Sequence, residues 1–230
     1  MASPSTVRVT ASSTKAVIPA KPAIDKAGIS RKFAEAFANY DNSALDYLAP
    51  KSPAFVYADG TERLFAAETG DLTPVTATPV DGGFDVGGAK LTDFVFNAAG
   101  KITSMKRNGI GLNTTVLSIG KVITPAKKDS DSYTGSASIT IHSIRYFDGD
   151  VQVMAILKNA TDASAHIYWS GYVSNGSQAT NAVTTTDALP GVTRMEQARF
   201  TKTTAGGVAY GDLVIDNSSH KFQVTVPPLG

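Results

Sequence analysis

The sequence predicts a mainly β chain: a small α+β unit of two helices and a curved antiparallel sheet, followed by an antiparallel β-sandwich. Three observations carry this. Apolar residues recur at helical spacing in one early stretch, where Ile29, Phe33, Ala36, Phe37 and Tyr40 fall at i, i+4, i+7, i+8 and i+11. From Ala54 onward, short apolar runs alternate with Gly, Asp, Asn and Pro, the pattern of strands and turns. After Asn108-Gly109 no helical period returns, and the runs follow at about the spacing of a β-sandwich.

Residues 1–22 are rich in Ser, Thr, Ala and Pro, with Arg8, Lys15 and Lys21 scattered among them, and read as a flexible or extended arm. Val7, Val9, Val17 and Ile18 would let such an arm add a short strand to a neighbour. The α+β unit is expected over residues 23–109. Its first helix starts from an Asp25 or Ser30 cap. A second, over 43–48, starts from Asp41 or Asn42 and stops before Pro50, which cannot continue the hydrogen-bond ladder. Strands then follow: AFVYADGTERLF with a bend at Asp59-Gly60, TPVTATPVDGGFDVGG, and KLTDFVFNAAGKITSMKRNG. Leu91, Phe94, Val95 and Phe96 make an almost continuous apolar run before the turn at 97–100.

The sandwich is expected over 110–230, with strands at 112–119, 136–147, 151–158, 165–174, 178–185, 192–200, 208–215 and 221–226. Asp148-Gly149 and Asn175-Gly176 are dipeptides that tolerate the positive φ of tight hairpins. Alternation along 165–173 places Ala165, Ile167, Trp169 and Val173 in the core, with Tyr168 and Tyr172 outward. Residues 121–132, with Lys127, Lys128, Asp129 and Asp131, read as a polar loop.

The segment LTDFVFNAAGKITSMKRNG resembles the closing hairpin of small NTF2-like domains, and SIRYFDGDVQVMAILKNAT resembles the second and third strands of immunoglobulin-like sandwiches. Together they resemble two-domain exported actinobacterial proteins of unknown function, over roughly residues 25–226. The resemblance implies an NTF2-like unit followed by an immunoglobulin-like sandwich. No catalytic signature travels with it, and the shortened first unit departs from a full NTF2-like cone.

Twenty-one basic against twenty acidic residues give a net charge of +1, so no global field draws the chain to nucleic acid or anionic lipid. The absence of cysteine removes disulfides, thiolate nucleophiles and the soft ligands of structural zinc. No stretch approaches the roughly 20 apolar residues that span a bilayer, and the first residues lack the apolar core of an export signal. Either such a signal was removed and Met1 added, or none existed.

His142, His166 and His220 are isolated from one another in the sequence and read as structural. Asp81, Asp85, Asp148 and Asp150 flank turn glycines. A calcium site from Asp129, Asp131 and Asp148 or Asp150 would lack the loop such sites use. Gly82-Gly83 and Gly87-Gly88 lack the Lys-Ser/Thr ending of a phosphate loop and read as hairpin glycines. Lys101, Lys106 and Arg107 read as charges that protect a sheet edge. No catalytic residue, cofactor or metal is therefore expected.

Two sets of contact residues are expected instead. Tyr146, Tyr168 and Tyr172 would offer large, modestly flexible side chains to a partner. The aromatic residues of 23–109 read as core; were they to line a pocket, Tyr57, Glu62 and Asp93 would be its polar groups. The expected function is that of a non-catalytic surface-displayed or cell-envelope interaction protein that binds a protein or envelope component through the sandwich. The alternatives are a virion or other assembly subunit that self-associates through residues 1–22, and an NTF2-like small-molecule binder.

Overall fold

The structure is a computed structural model and describes residues 23–67, 73–147, 149–175, 177–179, 181–184 and 187–229. The expected arm, Asp148 and Gly176 lie outside these residues. The chain is mainly β with antiparallel sheets. No helix among the described residues is long and apolar enough to cross a membrane.

Helix α1 (Lys26–Ala38) starts at Asp25, whose carboxylate accepts the Gly28 amide proton at 2.9 Å. It buries Phe33 and Phe37. The second expected helix is a 3₁₀ turn, Asn42–Tyr47, whose Asp41 cap accepts from the Ser43 amide. Helix α2 (Pro53–Ala67) overturns the expected hairpin over AFVYADGTERLF. Its start is set by Ser52, whose hydroxyl accepts the Phe55 amide proton at 3.2 Å, and by Pro53 at the first helical position. Asp59 and Gly60 are buried mid-helix, so this Asp-Gly pair makes no bend. A Cβ at Gly60 would stand 2.5 Å from Arg145 Nη2 and 3.1 Å from the His142 ring. Glycine is there for close approach to a strand, against its roughly 1 kcal/mol helical penalty.

One five-stranded sheet, in simple sequential order, comprises β1 (Ala77–Val80), β2 (Gly83–Val86), β3 (Ala89–Phe96), β4 (Ile102–Arg107) and β5 (Ile110–Gly111). The expected strand at 112–119 begins as a helical turn, α3 (Leu112–Thr115), before β6 (Val116–Ile123). The strands β7 (Gly135–Phe147), β8 (Asp150–Thr161) and β12 (Thr193–Phe200) join β6 and β11 (Asn181–Thr184) in the order β11-β12-β8-β7-β6. The strands β9 (Ala165–Ser174), β10 (Ser177–Ala179), β13 (Gly207–Ile215) and β14 (Ser218–Val226) form the order β10-β9-β13-β14. The single strand expected at 178–185 is thus divided between two sheets. These two sheets share one apolar cluster, with Ile139, Val153 and Phe200 from one and Trp169, Leu213 and Val224 from the other.

Two bulges decide which side chains enter that cluster. In β9 the register against β13 shifts between Gly171 and Trp169, so Ser170 is the extra residue. Alternation therefore breaks: Trp169 is buried as expected, but Tyr172 is also buried, stacked on Phe200 at 5.3 Å. In β7 the shift falls between Ile141 and Ser143, leaving His142 extra. Ile139 and Ile141 face the paired sheet before it, and Ile144 and Tyr146 after it. Ser143, Arg145 and Phe147 then face the opposite side, over which α2 packs. The second apolar cluster accordingly joins Phe33, Tyr57, Leu91 and Ile102 to Leu112, Val116 and Phe147.

The polar stretch before β7 is anchored. Tyr133 OH donates to Asp131 at 3.2 Å and stands 3.1 Å from His220 Nε2, while Lys128 Nζ donates to the Ser219 carbonyl.

A candidate ligand cleft between the helices and the sheets

The α+β layer does not cover the whole outer face of the β12-β8-β7 sheet, and a cleft of about 330 Å³ remains where it stops. That volume lies at the low end of small-molecule sites. Its aromatic wall comes from α1, α2 and β7: Phe37 lies 6.0 Å from Tyr57, Tyr57 meets Phe147 edge-on at 6.0 Å, and Tyr40 and Phe65 lie 4.6 Å apart. Val86, Gly87 and Ala89, from the β2-β3 hairpin, form the opposite lip. The polar lining is Thr61, Arg107, Arg145, Gln152 and Gln197. Among the described residues, no carboxylate lines it.

Arg145 is the best-fixed of these groups. It is 4% exposed. Its Nη1 donates to Thr61 Oγ1 at 3.0 Å and its Nη2 to the Tyr57 carbonyl at 2.8 Å, while the guanidinium sits 5.0 Å from the Tyr57 ring centre. Among the described residues its Nε has no hydrogen-bond partner and no carboxylate forms a salt bridge with it. Burial pushes the guanidinium down to about 10, so it stays charged at neutral pH. Arg107, at the end of β4, lies over the Phe147 ring at 4.8 Å. Gln152 is paired across the sheet with Arg145 and so shares its face.

Behind the cleft, α2 and β7 hold a second polar chain. Asp59 accepts from Arg63 Nε at 2.9 Å and stands 2.9 Å from His142 Nε2, and His142 Nδ1 stands 3.1 Å from Ser143 Oγ. Burial alone would raise the Asp59 carboxyl, but His142 and Arg63 outweigh it and hold the group below its ordinary value. An aspartate, a histidine and a serine in one hydrogen-bonded chain have the composition of a hydrolytic triad. Here Ser143 is fully buried, and neither it nor His142 lines the cleft.

The expected contact residues separate. Of the pocket set, Tyr57 lines the cleft. Glu62 is buried on α2, outside that lining, with both oxygens lacking hydrogen-bond partners; burial, then Asp41 and Asp59, push it up to about 7. Asp93 sits at positive φ in the irregular middle of β3, exposed and 3.2 Å from Lys106. Of the tyrosines, Tyr168 is exposed. Tyr146 and Tyr172 are buried and donate to the carbonyls of Pro227 and Thr204, so neither is open to a partner. Among the described residues no group of acidic and histidine side chains could hold a metal; Asp131 is tied to Tyr133, and Asp150 to Arg199.

The sequence reading overlooked Arg107 as a lining group, and Arg145, Gln152 and Gln197 altogether. One signal was present: Arg145 stands between Ile144 and the Tyr146-Phe147 pair in a strand, where a charge is uncommon. Comparison with protein-family models, with curated proteins and with solved structures finds no match for this chain.

Proposed function

We propose that this chain is a non-catalytic binding protein of a cell surface or envelope, built from an NTF2-like α+β unit and an immunoglobulin-like β-sandwich, and that it takes a small ligand in the cleft between them. The observation that carries this is the cleft itself: aromatic walls and a few fixed polar groups, contributed by both parts of the chain. A binding role is favoured over a catalytic one because, among the described residues, the triad-like chain of Asp59, His142 and Ser143 lies outside the cleft lining. The surface setting rests on the resemblance of the two segments and on the weakly charged composition, rich in Ala, Thr, Ser, Gly and Val.

The neutral probe N-phenyl-1-naphthylamine tests the reading by fluorescence titration. One equivalent is expected to bind, and Ala89→Trp, which fills the lip, is expected to weaken binding at least tenfold. No uptake by the unaltered chain, or equal uptake by the variant, would remove the cleft as the site.

A macromolecular contact through the outer face of the β9-β13-β14 sheet is the second reading. It is favoured by the exposure of Tyr168 and Tyr210, at 58% and 40%, on strands whose other faces are buried.

A further inference from the structure

The cleft carries more than a shape. Buried cations in folded proteins are ordinarily met by a carboxylate, because an unbalanced charge out of water is costly. Arg145 departs from that rule. The acid closest to it in electrostatic effect is Asp59, which is already shared between Arg63 and His142. The groups held around Arg145 are neutral: a hydroxyl, a carbonyl, an aromatic face and the Gln152 amide. Among the described residues the lining therefore sets an aromatic wall beside the buried Arg145 cation, and the low dielectric of the buried side strengthens its field.

We infer that the ligand of this cleft is a small organic acid, its carboxylate beside Arg145 and its apolar body against Tyr57, Phe65 and Phe147. The inference rests on the cleft being the binding site, and goes beyond it by fixing the ligand's charge and polarity. A guanidinium suits a carboxylate because its planar donors match the two oxygens. Phosphate dianions are less well matched, since, Arg107 apart, the rest of the described lining is apolar or neutral.

Calorimetric titration of the full chain with 1-naphthylacetate and with its neutral amide, 1-naphthylacetamide, tests this. The acid is expected to bind at least tenfold more tightly than the amide, with the preference shrinking as salt is raised. Arg145→Met is expected to remove the preference. Should that variant fail to fold, Gln152→Glu serves instead: it sets a carboxylate beside Arg145 at a partly exposed position, and is expected to bring the acid-to-amide ratio below about two. Equal binding of acid and amide by the unaltered chain would overturn the anionic-ligand inference while leaving the cleft as a site. Binding of neither compound, with no uptake of the neutral fluorescent probe, would overturn both.

Discussion

Glu196 is the most unusual ionisable group of the paired sheets. It sits on β12, 2% exposed, on the face that also buries Ala198 and Phe200, and the Nε of Arg194 is 3.9 Å away, beyond hydrogen-bond length. Burial, only partly offset by Arg194, pushes its carboxyl from 4.5 up to about 8. Between those values the folded state holds a proton that the unfolded chain releases, so stability falls as pH rises from about 5 to 8. Glu62, pushed up to about 7, adds to the same trend over the lower part of that interval. Urea midpoints are expected to drop between pH 5 and pH 8.5 by an amount worth several kcal/mol, at about 1.4 kcal/mol for each pKa unit. Glu196→Gln, which mimics the protonated form, is expected to flatten most of that drop; an unchanged slope would show that Glu196 titrates elsewhere. The tyrosines give a second comparison at this scale. Tyr172→Ala is expected to cost about 3–5 kcal/mol, as for a buried aromatic ring, while exposed Tyr168→Ala stays within about 0.5 kcal/mol by the same unfolding measurement.

At the scale of elements, the decisive one is α2. Its helical reading is set by local chemistry, with Ser52 as cap and Pro53 at the first position, but its Asp-Gly pair is also the strongest hairpin dipeptide. Tertiary contact decides between the two. As a helix, the segment places Asp59 against His142 and Arg63 on one side, and Gly60 beneath the Arg145 guanidinium. A β-hairpin would present those residues to alternate faces and lose the contacts. Gly60→Leu is expected to destabilise by about 3 kcal/mol despite leucine's better helical propensity, because it overpacks a contact with no room for a Cβ. Asp59→Ala is expected to cost about 1–3 kcal/mol, since it leaves His142 and Arg63 without the carboxylate that both contact. Chemical denaturation followed by far-ultraviolet circular dichroism measures both; a Gly60→Leu protein as stable as the parent would mean that α2 does not pack closely on β7. The bulges at Ser170 and His142 act at the same scale, since each flips the alternation of one strand and so chooses which tyrosine or arginine is buried.

For the whole molecule, the two apolar clusters do not divide at the expected boundary near residue 109. The cluster around Phe33 and Leu91 takes Leu112, Val116 and Phe147 from later in the chain, and α2 lies over β12, β6 and β7. Residues 23–109 alone would therefore expose the apolar face of α2 and lose about 1.5–3 kcal/mol for each large side chain no longer covered. That fragment is expected to be unfolded by amide-proton dispersion, whereas the full chain is expected to melt in one transition. Fluorescence of Trp169, the chain's one tryptophan, should coincide with the far-ultraviolet signal. Two separated transitions would show that the parts fold independently and that the cleft between them opens without unfolding. Light scattering of the full chain against one lacking residues 1–22 addresses self-association through the arm: a defined oligomer lost with those residues would favour an assembly subunit.

What the sequence by itself determined were the features written in local periodicity and turn chemistry: α1 with its Asp25 cap, a short helical turn after Asp41, the strands β7 to β9 and β12 to β14, and the burial of Trp169. Those follow from interactions between residues close in the chain. The tertiary structure alone decided that Asp59-Gly60 is helical, that Tyr172 turns inward after a bulge, and that Arg145 and Gln152 lie beside Tyr57 in one cleft. The physical reason is common to all three. Each depends on a partner more than thirty residues away, His142 and Arg145 for the helix, Tyr210 and Gly211 for the bulge, and Tyr57 for Arg145, and no local pattern carries that information.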